Sequence, residues 1–498
     1  MRHLLLGLDI GSSSVKASIV DADTGKSIAT AQSPSEEMEM FAPHPGWAEQ
    51  KPELWWENVV ASVRTAIGKA SAKPDEVRAI GISYQMHGLV VVDRNHTPLR
   101  PSIIWCDSRA VEIGQSAFKS LGEEYCLKHF LNSPGNFTAS KLRWVKENEP
   151  ALFERIHKFM LPGDYIAMRL SGDIVTTDTG LSEGVFWDYQ SGSVSGTLLN
   201  HYGFGKKLLP DLVPVFGDQG KLSAEAASEL GLKPGVTIAY RAGDQPNNAF
   251  SLNVLKPGET ATTAGTSGVI YSVTSKNAYD PQSRVNTFVH VNNRPDNPSN
   301  GVLLCVNGTG ILNSWLRKNT KGAGNALDYD SMNKLAASAP VGSDGLLVLP
   351  FGNGAERMLG NRTLNASIFG LDFNHHSQAH IFRAAQEGIV FALKYGFEIL
   401  QEMGLETSVL RAGHANMFLS AVFREAFVNT IGAPLELYNT DGATGAAIGA
   451  GIGSGVFDSR ETAFRGLSTI DVVNPDSSLT SQYLEAYSKW KTQLNQIL

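Results

Sequence analysis

An aspartate, Asp244, stands in the run Ala242-Gly243-Asp244-Gln245, and a glycine/hydroxyl turn, Ala264-Gly265-Thr266-Ser267-Gly268, comes after it. Near the start of the chain, Asp9-Ile10-Gly11-Ser12-Ser13-Ser14-Val15-Lys16 follows an apolar run in the same way. Backbone N–H groups and hydroxyls in such turns can wrap phosphate oxygens, because small residues let the main chain approach closely. Ser12, Ser13, Gly265 and Thr266 are the candidates for that work, and Lys16 can neutralise phosphate charge. Asp9 offers the hard oxygen that Mg²⁺ prefers, reached through water because this ion keeps part of its hydration shell. Asp244 can take the proton of a hydroxyl that attacks a terminal phosphate, in a transfer that otherwise rests on positioning and charge neutralisation. Each turn alone reads equally well as a hairpin turn, and a lone Asp in a Gly-rich run is ordinarily a turn residue. The pairing of the two turns at matching places in two similar halves is what points to phosphotransfer. Neither turn has the Gly-Lys-Ser/Thr ending of a P-loop, which excludes that motif.

Two further segments carry polar side chains where strands end. Gln85-Met86-His87-Gly88 places an amide and an imidazole together, and both groups donate or accept, as recognition of a polyol requires. A structural turn in which His87 satisfies a backbone group explains the same residues. Trp105-Cys106-Asp107-Ser108-Arg109 offers an acid beside a base, either a contact to substrate through Asp107 or a structural ion pair.

The elements that would position these residues follow from periodicity. Leu4 to Leu8 reads as a buried strand, Val15 to Val20 as its return, and Asp23-Thr24-Gly25 as a hairpin turn. Pro52 opens a helix with Trp55, Val59 and Val63 on one face. Val77 to Ile82 is a strand ending at Gln85, and Leu89 to Val92 resumes it. In the second half, Glu259 to Ala264 and Val269 to Val273 are strands around the turn at Gly265. His376 to Met403 is a long helix, Val409 to Ala412 a strand, Leu419 to Ile431 a helix and Leu435 to Tyr438 a strand. The small residues of Gly442 to Gly453 suit close helix packing, and Leu479 to Leu498 forms a closing amphipathic helix. Strand–turn–strand followed later by helices, occurring twice, implies two α/β domains with mixed sheets facing a cleft, where ligands usually bind. The boundary is expected between Ser251 and Gly258, giving domains 1–252 and 253–498.

Bulk properties exclude several classes. A chain of 498 residues, 42% hydrophobic and 18% charged, reads as soluble and globular. The net charge of −7, without long runs of one sign, argues against nucleic acid or an anionic membrane as partner. Cys106, Cys126 and Cys305 are odd in number and lack metal-ligand spacing, which fits a reducing, cytoplasmic setting. The apolar run at the start is too short for a signal peptide, and none approaches the ~20 residues of a membrane span.

These residues resemble the FGGY carbohydrate kinases of the actin-like ATPase superfamily over nearly the whole chain. The resemblance rests on Pro43-His44-Pro45-Gly46-Trp47-Ala48-Glu49-Gln50 with Trp55-Trp56, on Gln85-Met86-His87-Gly88, and on Thr138 with Lys141-Leu142-Arg143-Trp144. Leu161-Pro162-Gly163-Asp164-Tyr165, Phe369-Gly370-Leu371 and Ala384-Ala385-Gln386-Glu387-Gly388 fit as well. It implies two actin-like (ribonuclease H-like) ATPase domains flanking an interdomain cleft, and Mg²⁺·ATP-dependent phosphorylation of a sugar hydroxyl. Gln85-Met86-His87-Gly88 is the version carried by members acting on D-xylulose, so the 5-hydroxyl of that ketopentose is the expected acceptor. Carried over by position, Asp244 is the catalytic acid, Met86 and His87 contact the sugar, and Asp9 is associated with Mg²⁺. Ser12, Ser13, Gly265 and Thr266 fall on the phosphate loops, and Gly310, Gly413 and Asn416 on the nucleotide side. Gln85, Asp107 and Gln245 complete the expected sugar site, and a homodimer is compatible with the resemblance.

Two departures stand out. Gln245 occupies a position that is usually Asn, and Ala412-Gly413-His414-Ala415 replaces the family's Gly-Gly-Gly-Ala loop. Gln245 keeps open a kinase for ribulose, a heptulose, glycerol or another polyol. An actin-like ATPase that works on a partner, or a sugar sensor without transfer, are the readings from other classes.

Overall fold

A computed structural model describes residues 2–320 and 327–498. Contacts divide the chain into two compact units. The first is Met1–Asn253 with Phe288–Asn300 and Thr440–Leu467; the second is Val254–Thr287 with Gly301–Asn439 and Ser468–Leu498. Contiguous halves 1–252 and 253–498 therefore do not describe the packing. The first crossing falls where the composition suggested, but two later segments return to the first unit.

The first unit is built on a five-stranded sheet in the order Thr237–Gly243, Val77–Tyr84, Leu4–Ile10, Val15–Asp21, Lys26–Ser33. Leu4–Ile10 runs parallel to Val77–Tyr84, which runs parallel to Thr237–Gly243. The two hairpin strands on the other side are antiparallel. The sheet is thus mixed, and its parallel strands all end on one edge. Leu4, Leu6 and Leu8 with Ile80 and Ile82 are fully buried, as expected of strands covered on both faces. Helix Pro52–Ala70 covers one side through Trp55, Val59 and Val63. Helix Gly442–Gly453 lies directly against the strands: a Cβ on Gly7 would stand 1.8 Å from the Ala443 carbonyl, and one on Gly81 1.9 Å from that of Ala446. Only residues without side chains allow this approach, and it is why 440–467 packs with the first unit.

In the second unit, Asn300–Val306, Gly268–Thr274, Glu259–Ala264, Val409–Gly413, Leu435–Tyr438 and Thr469–Val473 are neighbours in that order in a seven-stranded sheet. The antiparallel hairpin Glu259–Ala264/Gly268–Thr274 lies beside the parallel strands Val409–Gly413 and Leu435–Tyr438. Helix Gln378–Glu402, starting two residues later than expected, contributes Ile389, Val390, Leu393 and Phe397 to the core, joined by Phe423, Phe427 and Trp490. Among the described residues, no helix is long and apolar enough to cross a membrane.

Candidate active site

The parallel register of the first sheet brings Asp9 and Asp244 to the same edge. Asp9 and Ala242 flank Ser83 from its two sides, and Asp244 lies two residues beyond Ala242. Asp244 is not a turn residue: it opens helix Asp244–Ser251, where a carboxylate is favoured by the helix dipole. Burial and then the neighbouring Asp9 push its pKa up to about 7, against hydrogen bonds from the backbone and side chain of Gln245 that favour ionisation. Asp9 is raised as well, by burial first, with Asp441 adding to it and Ser83 and Lys16 opposing it. Ser83 Oγ donates to Asp9 Oδ1 at 2.9 Å. Asp9 thus adds to the rise at Asp244, and Asp441 to the rise at Asp9, a set of neighbouring carboxylate oxygens whose repulsion a divalent cation would relieve.

Lys16 is exposed and pairs directly across the hairpin from Asp9. Ser12 and Ser13 form the tip of that hairpin, where Gly11 N–H donates to the Ser14 carbonyl at 3.0 Å. The tip is held from outside, by Gln50 Nε2 on the Ser12 carbonyl at 2.7 Å and by Met38 N–H on that of Ser13 at 2.8 Å. Both tip residues keep partly or fully exposed side chains.

Gln85, Met86 and His87 follow Tyr84 at the same edge of the sheet. Gln85 N–H donates to the Ile10 carbonyl at 2.8 Å, its Nε2 reaches Gln50 Oε1 at 3.5 Å, and its buried Oε1 has no partner. His87 has φ 62°, a left-handed conformation that costs a residue with a Cβ roughly 1 kcal/mol or more and is often found at functional sites. Its Nδ1–H donates to the Glu183 carbonyl at 3.0 Å, and Lys141 Nζ donates to the carbonyls of His87 and Ile104 at 2.9 Å each. Lys141 is fully buried, and burial lowers its pKa to about 7 despite Asp107 nearby. Gln245 is half-buried, and its Oε1 is unpartnered.

Asp107 is placed differently. It is fully buried, and its carboxylate is occupied by Arg109 Nη2 at 2.6 Å and Ala48 N–H at 2.6 Å. Arg109 in turn packs against two perpendicular indoles, Trp47 at 3.7 Å and Trp144 at 4.8 Å. The structural ion pair is what this segment builds. Its nearest link to the other residues is through Lys141, whose two carbonyl partners tie the His87 loop to the strand end before Asp107.

A residue that sequence reasoning missed is Glu183, at the end of helix Asp178–Glu183. It is buried, its Oε1 has no partner, and its Oε2 lies 2.6 Å from where a Cβ on Gly243 would stand, beside Met86. Burial first, then Asp244, hold its pKa well above the usual carboxylate range. No local pattern marks such a residue, because its neighbours come from other elements. Gly442 was read only for packing, yet a Cβ there would stand 2.5 Å from Asp9 Oδ2.

In the second unit, Gly265, Thr266, Gly310 and Asn416 come together. Gly310 N–H donates to the Gly265 carbonyl at 2.9 Å, and Ile311 N–H to that of Thr266 at 3.2 Å. Gly310 opens helix Gly310–Asn319, so the carbonyls of the turn take up the first N–H groups of that helix and fix the turn against it. Asn416 takes φ 56°, and its Nδ2 is 3.6 Å from the Cβ position of Gly265. Gly413 ends strand Val409–Gly413, which runs parallel to the strand that ends at Ala264. Glu356, in the Gly354-Ala355-Glu356-Arg357 segment, accepts from Asn307 N–H at 3.0 Å and Gly308 N–H at 3.3 Å, fixing the approach to Gly310. Burial raises its pKa to about 7.

The FGGY family of carbohydrate kinases matches this chain in both of its domains, the N-terminal domain over residues 4–251 and the C-terminal domain over residues 260–454. This chain belongs to that family. It is therefore an ATP-dependent carbohydrate kinase with the two-domain actin-like fold. Among curated relatives, the xylulose kinase of Haemophilus influenzae is 28% identical over 99% of this chain and 100% of its own length. That of Bacillus subtilis is 28% identical over 92% of this chain and 89% of its own. Among solved structures, a xylulose kinase from Brucella ovis superposes with a TM-score of 0.87 at 27% identity, covering 99% of both chains. One from Rhodospirillum rubrum does so with a TM-score of 0.86 at 25% identity, again covering 99% of both.

Proposed function

We propose that this kinase transfers the γ-phosphoryl group of ATP to the 5-hydroxyl of D-xylulose, with Asp244 as the general base. The observation that carries the reading is Asp244 at a strand end, half-buried, with a pKa near 7 set by burial and by Asp9. A carboxylate so tuned is about half ionised at neutral pH and basic enough to take a hydroxyl proton as the oxygen attacks. Full-length similarity to xylulose kinases supports the choice of sugar. Gln85, Met86 and His87 stand at the same edge as Asp244 and would orient the sugar, the orphaned Gln85 Oε1 accepting from one of its hydroxyls. Gln245 would hold the Asp244 carboxylate through its side-chain N–H and offer its free Oε1 to the acceptor. Asp107 would act on the sugar site indirectly, through its ion pair with Arg109 and its charge beside Lys141.

The phosphate-binding role falls to Ser12, Ser13 and Lys16 in the first unit and to Gly265, Thr266 and Gly310 in the second, with Gly413 and Asn416 on the nucleotide side. Asp9 would hold Mg²⁺, which suits its oxygen donors and, when bound, neutralises phosphate charge. A kinase for another ketose or polyol is the second reading, favoured by Gln245 and by the buried Glu183 beside Met86.

The test is sugar-dependent ADP release from Mg·ATP with D-xylulose, L-xylulose, D-ribulose, L-ribulose, glycerol, sedoheptulose and xylitol. A clear preference for D-xylulose is expected. A preference for another acceptor would keep the mechanism and move the specificity. ATP turnover that no sugar stimulates would overturn the reading.

A further inference from the structure

Among residues given no role above, the second unit gathers two imidazoles around one carboxylate oxygen. His375 Nε2 lies 3.0 Å from Asp344 Oδ2, and His380 Nε2 lies 3.2 Å from the same oxygen. One ligand atom from each of Asp344, His375 and His380 falls within 4.8 Å of the others. The carboxylate is 39% exposed, His375 59% and His380 14%, so the cluster opens to solvent on one side. From these contacts we propose that Asp344, His375 and His380 form a binding site for a divalent transition metal of the Zn²⁺ class.

The donor set is the chemistry such ions select: two imidazoles and one carboxylate, with open positions for water. Zinc bonds of ~2.0–2.1 Å at a tetrahedral angle place donor atoms about 3.3 Å apart. The two observed His–Asp separations are within a few tenths of that spacing, so an ion can enter by displacing the shared protons, with only the imidazoles drawing together. His380 sits in the first turn of helix Gln378–Glu402, with Nδ1 3.0 Å from Ser377 Oγ. Nδ1 also accepts from Ser377 N–H at 3.1 Å, so binding the ion at Nε2 moves the proton to Nδ1, which gives up that bond and donates to the hydroxyl, the outer-shell bond that metal-bound histidines usually make. His376 stays outside the set, because its Nδ1 accepts from Asp372 N–H at 2.9 Å and its Nε2 faces the Asp344 carbonyl at 3.4 Å. Asp344 is held at φ 53°, in the left-handed region that an Asp tolerates at a cost. Bound metal would clip the turn Ser343–Gly345 to the start of helix Gln378–Glu402, which carries core residues of the unit. The role is structural and does not depend on which sugar the kinase phosphorylates.

The test is isothermal titration of the untagged, chelator-treated chain with ZnCl₂, repeated with CoCl₂ to read the visible absorbance of bound Co²⁺. One ion per chain is expected, with weaker binding at pH 6 than at pH 7.5 because protons compete for the imidazoles. His375→Ala and Asp344→Asn should lose the one-to-one isotherm. Asp344→Gly is the variant that separates ligand loss from misfolding: glycine adopts the same backbone without strain, so the apo chain should unfold no earlier than wild type. Zn²⁺ should then raise the Tm of wild type and leave that of Asp344→Gly unchanged. Absence of saturable binding, or an isotherm that survives Asp344→Gly and His375→Ala, would overturn the proposal and leave the cluster as a hydrogen-bonded ion pair.

Discussion

Gly442→Ala isolates the position of Asp9 from its chemistry. Gly442 opens helix Gly442–Gly453 and has no left-handed φ, so its backbone accepts alanine. The new Cβ would stand 2.5 Å from Asp9 Oδ2 and 2.9 Å from Asp9 Cγ. Ordinary contact is about 3.5 Å, so the carboxylate must retreat by about 1 Å. It cannot do so while keeping the 2.9 Å bond from Ser83. A misplacement of about 1 Å in a phosphoryl-transfer site costs on the order of 100-fold in rate. Stability should change far less: crowding costs about 1–3 kcal/mol, and replacing a helical glycine returns roughly 0.5–1 kcal/mol. The assay is steady-state sugar phosphorylation beside thermal unfolding. Gly68→Ala serves as control, since Gly68 is helical with nothing within 4 Å of its Cβ position, and should leave turnover unchanged. Turnover of Gly442→Ala within twofold of wild type, in a folded chain, would refute the argument that Asp9 works from a fixed position.

Asp244→Ala should lower kcat by about 10²–10⁴-fold while calorimetry still detects sugar binding, because the base acts on the proton and not on the sugar's affinity. With a pKa of about 7, Asp244 must lose its proton to act, so kcat/KM should rise with pH through about 7 and fall about tenfold per unit below it. Lys141 is held near 7 in the fold against about 10.4 unfolded, so the unfolded chain binds the extra proton between those values and this group's contribution to stability grows with pH. Lys141→Met should flatten that rise in urea unfolding at pH 7 and pH 9, and it should cost about 2–3 kcal/mol by leaving the carbonyls of His87 and Ile104 without their donor.

The elements and the two loops were legible because their signals are local. A short apolar run marks Leu4–Ile10, and small polar residues mark the turns between antiparallel strands. Asp9 and Asp244 were readable as chemistry because each follows such a run. Glu183 was not, since what makes it unusual is burial against Gly243 and Met86, which only the folded chain supplies. Asp107 was legible as an acid beside a base, but its state depends on Trp47 and Trp144 closing over Arg109. The return of 440–467 to the first unit was half visible: the glycines and alanines announced close packing without saying against which sheet. The Asp344 cluster escaped because its ligands lie on a turn, a loop and a helix start, with no recognisable spacing between the acid and the histidines.

The order in which the chain is made and the order in which it packs do not agree. All five strands of the first sheet have left the ribosome once residue 243 is free, but helix Gly442–Gly453, which covers their glycine-lined face, is synthesised nearly two hundred residues later. Until then Gly7 and Gly81 front a bare surface, and the first unit waits unfinished while most of the second is made. Vectorial folding, in which an N-terminal domain completes itself before the next begins, is therefore closed to this kinase. A fragment ending at residue 253 would carry Asp9 and Asp244 but lack the helix that sets the distance to Asp9, so both acids become a working pair only late in synthesis.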